Sequence, residues 1–328
     1  MDSDGQLTFE DNIVSIQYKQ CFQHIINYDF KGALSAFKMM QQKLSTDEVK
    51  EAILIMEFWA ERQVLIQSSK NEEEELIQWE QSWKEFQDWW NLNNLSFTEL
   101  LDQLKRLVLT KISNLLIFKF HKSEVPDFLI LNKLGYIFIE NKEWDKAKET
   151  LLYSIRLVPK NPEGLALLSD LLWLQGEEEK SRLYLRESFI INCDEVPVDR
   201  LKSSLVREIK YLTEKEGHNK ENPLIFQRWM PVVATCYNLF SSKKVLLSDE
   251  ILQLEEDCIA LEQEILEAPY KEKLLCPVLL FKTLVLMDHF LMNGDIETAK
   301  MLKYEIRLKK FHIRTYELYR KNVFLMEK

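Results

Sequence analysis

Groups able to do chemistry are few and scattered along this chain. Its five histidines are His24, His121, His218, His289 and His312. They form no H-E-x-x-H pair, and no two stand three or four residues apart, so helical spacing brings no two imidazoles to one face as metal ligands. Asp288-His289 is the nearest approach to an acid and imidazole pair, yet adjacent residues on a helix point about 100° apart and are not expected to share a site. Cys21, Cys193, Cys236, Cys258 and Cys276 lie at least 18 residues from one another, which excludes a local C-x-x-C or zinc knuckle. They read as small buried hydrophobes of a reducing compartment. With no G-x-S-x-G, Walker loop or G-x-G-x-x-G present, no catalytic residue, metal ligand or cofactor is expected.

The elements that would position any site must be helices. The 328 residues contain seven glycines and eight prolines, where an average protein devotes roughly 12% of its residues to the two types, so turn-rich β folds and glycine phosphate cradles are disfavoured. Apolar residues make up 46% of the chain, enough for a substantial core. The formal charge of −10 repels phosphate backbones, and nucleic acid is not an expected partner. Met1 to Asn12 carries Asp2, Asp4, Glu10 and Asp11 with no basic or apolar leader region, so the expected compartment is the cytoplasm. The longest apolar run, Leu274 to Met287, is interrupted by Pro277 and Lys282 and is too short to span a bilayer, although peripheral association with a membrane complex remains compatible with the sequence.

Apolar residues recur at i, i+3, i+4 and i+7 almost throughout, and no segment reads as a strand. Ser45-x-x-Glu48 and Ser96-x-x-Glu99 read as capping boxes, each starting a helix. Long helices are expected over 46–67, 72–92 and 97–122. Three more are expected between Pro197 and Ala268, separated by 216–223 and 241–244, with Pro231 kinking or breaking the run from Leu224 to Phe240.

Internal similarity organises this pattern. From Phe128 the chain runs Leu131-x-x-Leu134-Gly135-x-x-Phe138, then Trp144-x-x-Ala147-x-x-x-Leu151, then Ser154 and Pro159. A shift of 34 residues lands on Leu165, Leu168, Ser169 and Leu172, then Ser181, Leu185 and Ser188. Small residues recur where two helices would cross closely, and large apolar ones where they would fill the gap. Asn27-Tyr28-Asp29-Phe30-x-x-Ala33-x-x-x-Phe37 repeats the turn and second helix, with Cys21 at the small position before it. Asn293-Gly-Asp-Ile296-x-x-Ala299 does so again, although Met287 and Lys303 depart from the pattern.

These segments resemble the tetratricopeptide repeat (TPR), whose pattern is W-x₂-L-G-x₂-Y, then A-x₃-F, then P. The resemblance is clearest over 128–195 and weaker near 14–47 and 280–313; elsewhere the chain resembles the family only in being helical. It implies an all-α, right-handed helix-turn-helix solenoid over 1–328, with an N-terminal unit at 14–47, a long-helix insertion at 48–127, two clear units at 128–195 and divergent repeats over 196–328. Gly135, Ala147, Ser169, Ser181, Ala33 and Ala299 would be its repeat-packing positions.

In such a stack the first helix of each pair lines the concave side, where a protein or peptide partner docks. The residues that the resemblance places there are Asn132, Tyr136, Glu140, Asp170 and Trp173, with Tyr18 and Phe22 from the N-terminal unit. The chaperone-binding clamp of Lys, Asn and Arg is not reproduced: the inner positions hold Asn132, Tyr136, Ala166 and Asp170, and Glu140, Glu163 and Asp170 would repel a carboxylate. Trp79, Trp83, Phe86 and Trp90 share a second face at i, i+4, i+7 and i+11, to be covered either by neighbouring helices or by a partner. A third candidate is the basic C-terminal helix with Lys300, Lys303, Arg307, Lys309, Lys310, Arg314, Arg320 and Lys321, several of them three or four apart, which reads either as a solvated face balanced by Glu297, Glu305 and Glu317 or as a stripe for an acidic protein or anionic membrane surface.

The function implied is a non-catalytic scaffold or adaptor. Ten alanines and seven glycines beside abundant Lys, Ile and Leu fit coding by an AT-rich genome, which is compatible with a bacterial source. Bacterial members of the family often assemble membrane-attached machines such as secretion systems and flagellar motors. The alternatives are a peptide-binding regulatory sensor, and then an enzyme without familiar motifs. The sequence leaves the oligomeric state open.

Overall fold

The computed structural model describes residues 9–240, 245–293 and 299–324, which form α-helices joined by short turns with no strand among them. The chain groups into two compact units. The first comprises the residues up to Ile130 with Ile137–Glu143, and the second comprises Leu131–Tyr136 with everything from Trp144 onward.

The first unit contains α1 (Phe9–Ile26), α2 (Phe30–Gln41), α3 (Asp47–Gln67), α4 (Glu72–Asn93) and α5 (Thr98–Lys122), each packed on the next. The unit boundary passes through α6 (Phe128–Glu140). The three long helices match the sequence expectation within a residue, but two of their caps differ. Thr46, not Ser45, caps α3 by accepting the Val49 N–H. At α5 no local side chain caps the helix. Glu51 of α3 does so from a distance, accepting the Ser96 and Phe97 N–H groups at 2.8 and 2.7 Å and the Ser96 hydroxyl at 2.8 Å. An anionic acceptor at a helix start satisfies orphan donors and sits at the positive end of the dipole.

The second unit contains α7 (Trp144–Leu157), α8 (Pro162–Leu174), α9 (Glu178–Asn192), α10 (Ser204–Lys215), α11 (Pro223–Cys236), α12 (Ser248–Glu267), α13 (Glu272–Met292), α14 (Ala299–Phe311) and α15 (Ile313–Tyr319). Pro162 and Pro223 stand in the first turns of α8 and α11, where a missing N–H costs nothing. The predicted helix through Phe240 stops at Cys236, and Pro231 lies inside it without ending it. The core element is α13, buried around most of its circumference by α11, α12 and α14. It is longer than the apolar run suggested. By length and composition, Pro269–Met292 could cross a membrane, yet 72% of its apolar window is buried inside the protein. A helix apolar on all sides is what a soluble core also requires.

Five helix ends close in one geometry, at Tyr28, Lys142, Gly176, Gly217 and Asn238, and the first three of them are alike in more than the closure. Tyr28, Lys142 and Gly176 each adopt positive φ, at 58°, 62° and 80°. In each case the following N–H reaches back to a carbonyl five residues earlier: Asp29 to His24, Glu143 to Phe138 and Glu177 to Leu172. This is the Schellman closure of a helix C-terminus. Counted from these turns, Cys21, Gly135 and Ser169 fall at the same offset before, and Ala33, Ala147 and Ser181 at the same offset after; all six are buried. A Cβ on Gly135 would stand 2.5 Å from Leu151 Cδ2, and at the equivalent place Ser169 Oγ donates to the Ser181 carbonyl at 2.8 Å. Ala299 does not join the set: it opens α14 and is exposed. The turn predicted at 294–298 lies outside the described residues.

Candidate functional site

The polar residues assigned to the concave face are occupied inside the protein. Asn132 is 1% exposed and joins Ser154 and Asn161 in a closed network. Its Oδ1 accepts from Ser154 Oγ at 2.7 Å and from Asn161 Nδ2 at 3.0 Å, and its Nδ2 donates to Asn161 Oδ1 and Glu163 Oε2 at 3.1 Å each. Asn161 also caps α8 by accepting the Gly164 N–H. Asp170, 2% exposed, accepts the Lys202 and Ser203 N–H groups and thereby holds the start of α10. Burial pushes its carboxyl pKa up, and the two N–H donors pull against that shift. The Glu140 carboxylate, almost wholly buried, is paired with Lys105. Burying a polar group requires partners, which Asn132 and Asp170 have in hydrogen bonds and Glu140 in its ion pair, so they hold helices together where the sequence assigned them to a partner.

The aromatic assignments remain partly open to solvent. The Arg200 guanidinium lies 5.6 Å from the Tyr136 ring centre and bonds Glu163 at 3.2 Å. Trp173 Nε1 donates to Ser204 Oγ at 2.9 Å, and Arg182 stands 5.1 Å from its ring centre. Tyr136 and Trp173 are each half-buried beside an arginine, an arrangement suited to a mixed aromatic and cationic contact. In the first unit, the half-buried Tyr18 and Phe22 stack at 6.4 Å, and Tyr18 meets Phe37 edge-on.

The tryptophan face is covered. Trp79, Trp83, Phe86 and Trp90 are all buried against α2 and α3, where Trp59 lies 6.0 Å from Trp79 and 5.3 Å from Phe86, and Phe30 lies 5.3 Å from Trp59. It is a core and not an interaction face, because rings spaced at helical intervals need only a neighbouring aromatic helix to exclude water. The glutamates heading α4 also find partners on α5: Glu75 with Lys111 at 2.8 Å and Glu73 with Lys119 at 3.3 Å.

The basic stripe of α14 is largely answered from α12. Glu255 pairs with Lys300 at 3.4 Å, and Glu262 with Arg307 and Lys310 at 3.2 and 2.9 Å. Arg314 pairs with Glu216 at 2.9 Å.

Two features were not read from the sequence. The first is a groove between α9 and α12, of about 340 Å³, with an apolar floor of Ile190, Ile191 and Leu254 and a rim of Glu187, Asp249 and Lys282. It adjoins a second hollow of about 240 Å³ through Ile190, Ile191 and Lys282. Lys282 bonds Asp257 at 2.7 Å; burial raises the Asp257 pKa, but the donors Lys282 and Gln253 bring it below the usual value. The second is a buried triad: Arg186 bonds Asp288 at 2.9 Å, and the Tyr319 hydroxyl donates to Asp288 at 2.9 Å. Asp288 is thus turned away from His289, whose Nδ1 accepts the Leu246 N–H at 3.3 Å. The partners are 102, 31 and 43 residues apart, beyond the reach of any local pattern.

Among the described residues, no three His, Cys, Asp or Glu side chains converge as a metal cluster. The chain matches no family model, no curated protein and no solved structure.

Proposed function

We propose that this chain is a non-catalytic adaptor built on TPR-like helix pairs, a solenoid that holds another protein. The observation that carries the reading is the pair of small buried residues that flanks three of the helix-closing turns at equal offsets, which the turns at Gly217 and Asn238 lack. Tyr28, Lys142 and Gly176 share positive φ and the same closing hydrogen bond, with small buried residues at equal offsets on either side. Repeated pairs of this kind build extended surfaces without a deep preorganised pocket, and such surfaces serve binding. The contact residues proposed are Tyr136 and Trp173 with Arg200 and Arg182, which keep exposed area after Asn132, Glu140 and Asp170 are spent inside. Assembly of a membrane-attached bacterial machine is the finer form of this reading, and it rests on the resemblance and the composition.

The test is an affinity capture from the source cells, comparing the wild-type chain with a Tyr136→Ala/Trp173→Ala double variant whose helicity is checked by circular dichroism. Stoichiometric capture by the wild type and its loss in the folded variant is the expected result. Capture that survives the double substitution removes this surface from the proposal.

The α9/α12 groove favours a second reading, a sensor that takes a short peptide segment. Its apolar floor and charged rim suit an amphipathic ligand. A sensor gains melting temperature from the peptide by mass action, and an Ile190→Asp variant would not.

A further inference from the structure

The outward faces of α12 and α14 are complementary to one another in charge and alike in their apolar stripes. α12 carries eight acidic residues and no basic one. Its core side is Leu254, Cys258 and Ile265. Away from that side, Leu252, Ile259 and Leu266 are 56%, 43% and 60% exposed. Spaced by seven, they fall within about 40° on the helix and form one stripe, with exposed Asp249, Glu256 and Glu267 alongside.

α14 carries five basic residues and one acidic. It exposes Leu302 and Ile306 at 58% and 55%, flanked by exposed Lys303 and Lys309, and Ile313 at the start of α15 is exposed as well. Both helices pack on α13 and are tied edge to edge by the Glu255–Lys300 and Glu262–Lys310 pairs. Their stripes therefore belong to one continuous surface. Leu252, Ile259, Leu266, Leu302 and Ile306 on such a patch are more than scattered exposure accounts for.

We propose that this surface binds a second copy of the same chain, with α12 of each copy lying over α14 of the other. The charges select that arrangement. A two-fold axis running between α12 and α14 sets the exposed Asp249, Glu256 and Glu267 of one copy over the exposed Lys303 and Lys309 of the other, twice, whereas α12 on α12 would face those three carboxylates with three more. The stripes then bury each other, as in helix-on-helix packing at heptad spacing. At 1.5 Å per residue, α12 is about 30 Å long, and two helix widths make a footprint of about 600 Å², of the order of one side of a standard interface.

Sedimentation equilibrium of the full chain over a concentration series tests this. The expected species has twice the 39.2 kDa chain mass and dissociates more readily at high salt. Ile259→Asp and Ile306→Asp should each give monomer with unchanged helical circular dichroism. A Lys303→Glu/Lys309→Glu variant alters only exposed side chains, so it leaves folding intact, and it should weaken association by at least about tenfold. A chain that stays monomeric at every concentration, or a dimer that survives both the charge reversal and Ile259→Asp, overturns the proposal. Neither result touches the adaptor reading, whose own test is loss of a captured partner on Tyr136→Ala/Trp173→Ala.

Discussion

Asp170, in the middle of α8, holds the first turn of α10 by accepting the backbone N–H of Ser203 at 2.7 Å and that of Lys202 at 2.9 Å. Glu51 does the same for α5. At α5 the distant carboxylate stands in for a local serine cap, whereas α10 has both, since the Ser203 hydroxyl also accepts the Val206 N–H at 3.4 Å. Asp170→Ala leaves two buried donors without an acceptor and should cost about 2–3 kcal/mol. Asp170→Asn keeps a carbonyl oxygen in place and removes a charge that burial disfavours, so it should cost distinctly less. Urea denaturation of the two variants checks the order, and equal losses would show that the N–H bonds are not what Asp170 supplies.

The Arg186–Asp288–Tyr319 triad is shut away from water, with side chains 3% and 1% exposed at the ion pair. Removing one charge strands the other. Asp288→Ala should therefore destabilise the second unit by about 3–5 kcal/mol, while an Arg186→Met/Asp288→Leu pair should recover much of that loss. Tyr319→Phe removes one neutral donor and should cost about 1–2 kcal/mol. A double-mutant cycle reads the coupling directly.

His218 stacks on Trp229 at 3.9 Å, with His312 at 5.0 Å from that ring and Glu216 and Arg314 nearby. Burial first, and then the neighbouring His312, lower the His218 pKa from 6.5 to about 4. The unfolded chain binds this proton near 6.5 and the folded chain only near 4. Its contribution to stability is thus complete above 6.5 and declines as pH falls toward 4. Melting temperatures across that window should drop more steeply for the wild type than for His218→Gln. Parallel curves would place the sensitivity elsewhere.

Lys142 occupies a left-handed position at φ 62° that glycine fills at Gly176. Replacing Lys142 with glycine relieves that strain and should stabilise the chain by about 0.5–1 kcal/mol. Gly176→Ala should do the opposite, and sterics cannot be the reason, since a Cβ there would meet nothing within 4 Å. Thermal melts of the two variants with opposite signs are the expected outcome.

Helix bounds were readable because their signals are local. The α4 start follows Asn71, which caps it through Glu74, and the apolar spacing carries on to Asn93. The repeat offsets were readable for the same reason. Asn132 was not, because its partners Ser154 and Asn161 stand 22 and 29 residues away, and helical spacing alone cannot tell a buried asparagine from an exposed one. The α14 stripe was seen as basic, but not that Glu255 and Glu262 of α12 answer it, 45 and 48 residues off for Arg307 and Lys310. The tryptophan face left two outcomes open until Trp59 and Phe58 of α3 were seen against it.

All five thiols are buried and unpaired with one another. Burial holds Cys21 near 11 and Cys193 and Cys276 near 12, so the reactive thiolate scarcely exists while the fold is closed. Each cysteine becomes a clock for its own surroundings: Cys21 times openings of the first unit, and the other four time those of the second. Alkylation rates would then show, without any added label, which half of the chain loosens first.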